Sequence, residues 1–140
     1  MSDFQGMEDL LQDFLVEATD LLSGVDNKLV DLEKTPGDRS LLNEIFRGFH
    51  TIKGGAGFLG LVPMVDACHA VEEAFDAARQ GKVVLVSEAF DAAPQALDLI
   101  AGQLAAVGAG AELELPSPQM IAVLHRYAAG GGGHAPAAHA

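Results

Sequence analysis

Apolar residues recur in alternating steps of four and three along the first quarter of the chain, at Leu11, Leu15, Ala18, Leu22, Val25, Leu29 and Leu32. That spacing is the buried seam of a long amphipathic helix. Glu8, Asp9, Asp13, Glu17, Asp20 and Asp31 fill its other faces, and the acids in its first turns suit the helix dipole. Thr35-Pro36-Gly37-Asp38 ends it. The pattern then predicts a second helix starting near Asp38 to Ser40, turning Leu41, Leu42, Ile45, Phe49 and Ile52 inward and stopping around Gly60. Pro63 suits the first turn of a third helix, which buries Met64, Ala67, Cys68, Val71, Phe75 and Ala78 and ends at Gly81.

The run Lys82-Val83-Val84-Leu85-Val86 has strand composition, but one isolated strand has no partner, so it reads as a loop. Ser87 is the expected N-cap of a fourth helix with Glu88 behind it, running to about Val107. Pro94 inside that segment predicts a kink or a late start. Pro116-Ser117-Pro118 opens a short fifth helix carrying Ile121, Leu124 and Tyr127. From Gly130 to Ala140 the apolar pattern disappears and the composition is that of a flexible linker. Long helices joined by short loops make this an all-α protein: an up-down antiparallel four-helix bundle with an appended fifth helix over residues 1–129.

Composition narrows the partners. A chain of 140 residues is the size of one domain. Its net charge of −12 argues against nucleic acid, which is bound by clustered Lys and Arg, and equally against anionic lipid. No apolar run approaches the roughly 20 residues of a membrane span, and the acidic start lacks the pattern of a signal peptide. Cys68 is the single cysteine and can form no internal disulfide. A reduced, cytoplasmic protein is the expectation.

The second helix then runs into a segment it should avoid. His50-Thr51-Ile52-Lys53-Gly54-Gly55-Ala56-Gly57-Phe58-Leu59-Gly60 has glycine at four of its last seven positions, and each glycine in a helix costs about 1 kcal/mol relative to alanine. Helical geometry sorts them. At about 100° per residue, with His50 at zero, Gly54 falls at about +40°, Gly57 at about −20°, Phe46 at about −40° and Lys53 at about −60°. Leu41, Ile45, Ile52 and Leu59 lie opposite, on the core side, with Gly48 and Gly55 near them. Gly48 and Gly55 therefore read as sites of close helix packing. Gly54 and Gly57 have a plain reading, a fraying helix end or close packing on another helix. Their cost on a polar face with no core to gain favours a face stripped of side chains so that a bulky partner reaches the imidazole.

The surroundings of His50 suggest chemistry. Lys53, one turn on, is a mobile cation placed to meet an anion held at the histidine. On the third helix Asp66, His69, Glu72, Glu73 and Asp76 form a polar stripe, whose plainest reading is a solvated surface. An antiparallel pairing of the second and third helices brings either Glu72 or His69 beside His50. A carboxylate accepting the Nδ1 proton would fix the tautomer and leave the Nε2 lone pair as a nucleophile. Rival motifs lack their context. Gly55-x-Gly57-x-x-Gly60 follows no strand, Lys53 precedes the glycines instead of following them, and His69-x-x-Glu72 is a di-iron motif reversed and unrepeated. His125, His134 and His139 are too scattered for a metal site.

His50-x-x-Lys53-Gly54-Gly55-x-Gly57, followed by His69-x-x-Glu72 on the next helix, resembles the histidine phosphotransfer (HPt) domain. More narrowly it resembles the N-terminal phosphoacceptor domain of the CheA family of chemotaxis histidine kinases, over roughly residues 8–128. The resemblance implies that His50 is phosphorylated on Nε2 by an ATP- and Mg-using kinase domain, on the same or a separate chain, and passes the group to an aspartate of a response regulator. By the same resemblance Lys53 stabilises the phosphoryl group, Glu72 holds Nδ1, and His69 joins that network. Phe46, Gly54 and Gly57 would form the partner face. The domain itself would hold no cofactor or metal and have no kinase activity, and residues 130–140 would lead to further domains. The alternatives are a free-standing HPt protein of a multistep relay and a non-catalytic helical bundle in which His50 is incidental.

Overall fold

The computed structural model describes the backbone of residues 2–130 and side chains from residue 6 onward; the expected linker, with His134 and His139, lies outside the described residues apart from Gly130. Five helices follow one another: α1 (Ser2–Lys34), α2 (Arg39–Phe58), α3 (Val62–Arg79), α4 (Ser87–Ala109) and α5 (Pro118–Ala128). Local chemistry sets most of their ends. Asp38 caps α2 by accepting the Leu41 amide at 3.1 Å, and Ser117 caps α5 by accepting that of Met120 at 3.3 Å. Pro63 sits in the first turn of α3, where its missing N–H costs nothing. Gly60, at φ +75°, turns the chain out of α2 in a conformation that a side chain would strain.

α1 packs on α2 and α4, and α3 packs on the same two helices, so the four long helices close a square with α1 diagonal to α3. Side-chain pairings give the directions. Phe14 meets Gly55 while Val25 meets Gly48, so α1 and α2 run antiparallel. Asn43 meets Arg79, His50 meets Glu72 and Gly57 faces Val65, which makes α2 and α3 antiparallel as well. α5 lies across α3 and α4 and buries Met120, Leu124 and Tyr127 there.

The core is aliphatic and continuous, with Leu32, Ile45, Ile52, Met64, Val71 and Ile100 fully enclosed. Each such side chain contributes roughly 1.5–3 kcal/mol through its burial. Every inward position expected on α3 is buried, as are Leu42, Ile45, Phe49 and Ile52 on α2. Between α3 and α4 the chain is a loop. Val83 and Leu85 plug the bundle end, while Val84 and Val86 face outward.

Three expectations are corrected. Early in α1 the seam is carried by Phe14, with Leu11 and Leu15 only half-buried at its edge. Ser87 is the first helical residue of α4 and not its cap. That place falls to Val86, which offers no side-chain acceptor. The helix also runs through Pro94 and starts seven residues before it, so the late start does not occur. Pro94 is exposed, where its ring meets solvent instead of a packed neighbour.

Candidate functional site

His50 stands in the middle of α2 with its side chain 63 % exposed. The glycines around it divide as helical geometry requires. A Cβ at Gly55 would lie 2.6 Å from the Phe14 ring, and one at Gly48 would lie 2.8 Å from Val25 Cγ2. Only glycine lets α1 come so close. A Cβ at Gly54 would meet nothing within 4 Å, and one at Gly57 would just touch Val65 Cγ2 at 4.0 Å. Packing therefore does not require glycine at these two positions, and their absent side chains leave the ground beside the imidazole open.

Beneath His50 lies the buried carboxylate of Glu72, 4 % exposed on α3. One oxygen, Oε2, is bonded to Nδ1 of His50, and the other, Oε1, accepts from the Lys53 ammonium. Burying a lone carboxylate would be costly, and here both oxygens are paired. A carboxylate only accepts, so Nδ1 carries the ring proton and Nε2 of the neutral ring holds the lone pair at the opposite edge. Lys53 is only 26 % exposed and rests on Glu72. Of the two α3 candidates, Glu72 is the one beside His50.

His69 is not drawn into this cluster. It lies one turn before Glu72, on the exposed side of α3, and its Nε2 is 3.2 Å from Glu73 Oε2. The 100° that separates successive residues turns Glu73 away from α2 and toward His69.

Phe46 is half-buried, and its ring stacks on the His50 ring with centroids 5.9 Å apart and planes 11° from parallel. The Arg79 guanidinium lies over the Phe46 ring at 3.7 Å. It is held there by Asp76 at 2.7 Å and Asn43 at 3.3 Å. The arginine beside it holds the Asp76 carboxyl below its ordinary range, with Gln80 adding a second hydrogen bond. The Phe46 ring is thus engaged by neighbours within the chain. Arg79 went unnoticed in the sequence because it sits at the far end of α3, and only the register of the helix pair carries it to Phe46.

Phe58 and Val62 are two further residues not singled out from the sequence. They are 74 % and 61 % exposed and lie beyond Gly57, at the turn from α2 into α3. Below the site, Cys68 is buried, and burial with the nearby Glu72 charge pushes its thiol pKa up to about 12. Among the described residues no group of three or more His, Cys, Asp or Glu side chains is placed to hold a metal ion, and no helix is long and apolar enough to cross a membrane.

A family model described as "Hpt domain" matches residues 9–110. The chain belongs to the Hpt domain family. This Hpt domain is 36 % identical over 94 residues to the sensor histidine kinase CheAY of Helicobacter pylori, covering 67 % of the present chain and 12 % of that protein. It is 32 % identical over 129 residues to the chemotaxis protein CheA of Treponema pallidum, covering 91 % of this chain and 16 % of that one. The chain therefore spans only a small part of the length of these curated relatives. Among solved structures it is similar to the CheA phosphotransferase domain from Thermotoga maritima. The TM-score is 0.69 and the identity 34 %, over 73 % of this chain and 96 % of that one. It is also similar to the solution structure of the histidine phosphotransfer domain of CheA, with TM-score 0.78 and 28 % identity, over 93 % of this chain and 96 % of the other. The matched residues of the family model stop at the end of α4, whereas the second structural match is long enough to take in α5.

Proposed function

We propose that this Hpt domain is a phosphoryl carrier of a chemotaxis-type two-component system, with His50 as its phosphoacceptor. The observation that carries the reading is the Glu72 carboxylate bridging His50 Nδ1 and Lys53 beneath an exposed imidazole. Family membership and the similarity to CheA proteins support it.

The Nε2 lone pair attacks the γ-phosphorus of ATP held with Mg²⁺ by a kinase domain. An N–P bond forms, the P–O bond to ADP breaks, and its electron pair leaves on the ADP oxygen. Glu72 keeps the Nδ1 proton in place and offsets the positive charge that the ring acquires as Nε2 is substituted. Lys53, on its flexible stem, shifts from Glu72 toward the arriving phosphoryl oxygens. In the second step an aspartate oxygen of a response regulator attacks the phosphorus. The P–N bond breaks and its electrons return to Nε2. The chain is substrate and carrier in both steps, and the ATP chemistry belongs to the kinase domain.

The test is incubation with a chemotaxis-type histidine kinase domain and MgATP, followed by a chase with a receiver domain. Wild-type protein is expected to gain acid-labile, base-stable phosphate and lose it in the chase. His50→Gln is expected to stay folded and unlabelled, and label that persists in that variant would refute the assignment.

A further inference from the structure

The stack Arg79–Phe46–His50 is not explained by core packing, because His50 is mostly exposed and Phe46 only half-buried. We propose that Phe46, backed by Arg79, is a positioning residue that locks the plane of the His50 ring and so keeps Nε2 aimed outward. This rests on the reading of His50 as the phosphoacceptor.

A single hydrogen bond at Nδ1 leaves the imidazole free to rock about that bond and to swing off it about the Cβ–Cγ axis. The glycines make this worse, since no side chain of Gly54 or Gly57 limits the ring from that side. Phe46 lies one turn before His50, where helical side chains meet, and its ring is within 11° of parallel to the imidazole. The phenyl ring in turn needs support, because a half-buried aromatic has its own freedom. Arg79 reaches Asn43, one turn earlier than Phe46, whereas His50 lies one turn later. The guanidinium lies over the phenyl ring, 3.7 Å from its centroid. Asp76 and Asn43 fix the guanidinium in turn. The imidazole is thus held at two places, its Nδ1 edge by Glu72 and one face by Phe46, and the Nε2 edge remains free.

Two readouts on Phe46→Leu and Phe46→Tyr, with Arg79→Gln as a variant that leaves the phenyl ring in place, test this. The first is the ¹⁵N spectrum of the His50 ring in the unphosphorylated protein, which reports the proton position without any kinase. Wild type is expected to hold the proton on Nδ1. Phe46→Leu is expected to move a measurable share to the Nε2–H tautomer that free imidazole side chains favour, and Phe46→Tyr to restore the wild-type pattern. The second is the phosphorylation rate with a kinase domain and MgATP. A loss of about three- to tenfold is expected in Phe46→Leu, the factor matching the usual strength of an aromatic pair. Arg79→Gln should move both readouts in the same direction by less, and it decides the matter should Phe46→Leu fail to fold. An unchanged ring spectrum and a rate within twofold of wild type, in a folded variant, would overturn the proposal while leaving His50 as phosphoacceptor. Failure of wild type to be labelled would overturn that reading instead, and the ring spectrum would still decide the positioning role.

Discussion

Glu72, with a side chain 6 % exposed, holds Nδ1 of His50, whose side chain is 63 % exposed. A buried residue has its rotamer set by the packing around it, whereas an exposed one on a glycine-flanked face does not. The order of α3 is thereby passed to a ring that would otherwise be mobile, and the anchor sits on a different helix from the group it orients.

Glu72→Ala is expected to slow phosphorylation of His50 by about 10–100-fold, the usual cost of losing the partner that fixes a functional histidine. Glu73→Ala should be nearly silent, since its carboxylate pairs with His69 on the surface and not with His50. Measuring thermal unfolding alongside the rate separates orientation from damage. Equal rate losses in the two variants would contradict the helix register described above.

The four glycines of α2 should separate by sign. Gly54→Ala adds a methyl group to open space and should stabilise the domain by up to about 1 kcal/mol through helix propensity. Gly55→Ala places its Cβ against the Phe14 ring and should cost about 1–3 kcal/mol through overpacking of the α1–α2 contact. Gly48→Ala, against Val25, should fall on the same side. Denaturant midpoints of the three variants check the order, and a stabilising Gly55→Ala would show that α1 yields at that contact.

Two titrating groups make predictions of opposite pH sense. Asp76 has its pKa held below the ordinary 3.8, chiefly by its hydrogen bond to Arg79. A depressed carboxyl contributes stability above its unfolded pKa and loses it as pH falls through the folded value. Asp76→Asn should therefore remove part of the acid-side loss of stability below about pH 4, with little effect at neutral pH because the pair is partly solvated. Cys68 has its thiol raised to about 12. Its contribution is complete below the unfolded pKa and fades as pH rises toward the folded value. Alkylation at mildly alkaline pH should accordingly track unfolding, and fast labelling of the native protein would contradict its burial.

Helical arithmetic alone separated Gly54 and Gly57 from Gly48 and Gly55, because angles along one helix need no tertiary information. The bundle was legible for a similar reason: Leu22, Val25, Leu29 and Leu32 repeat strictly, and the loops between helices are short. What the pattern left open was long-range. Glu72 and His69 lie three residues apart on one stripe, and the choice between them depends on how α3 slides along α2. That register is set by contacts such as Asn43 with Arg79, which no local spacing encodes. Phe14 takes the seam position from Leu15 because an α-helix drifts against a strict seven-residue repeat. The glycine at position 55 then fixed where the large ring had to go.

The remaining prediction concerns the surface a response regulator would meet. A receiver domain has to bring its aspartate to within bonding distance of Nε2, so the ground around His50 must be low, and some apolar area nearby must hold the partner. Phe58 and Val62, both largely exposed beyond Gly57, add apolar area there to that of the half-buried Phe46. Gly57→Leu should keep or raise the melting temperature, because leucine is the better helix former and its Cβ would have only Val65 at ordinary contact distance. The same leucine stands in the path of the partner, so transfer from phosphorylated His50 should drop sharply. Phe58→Ser should leave stability within about 0.5 kcal/mol, as exposed substitutions usually do, and should raise the receiver concentration needed for half-maximal transfer without altering the chemistry at saturation. Transfer assays over a range of receiver concentrations, paired with thermal unfolding, check both variants. Normal transfer in Gly57→Leu would mean that the partner approaches His50 from the α3 side, past His69, instead of along the glycine face.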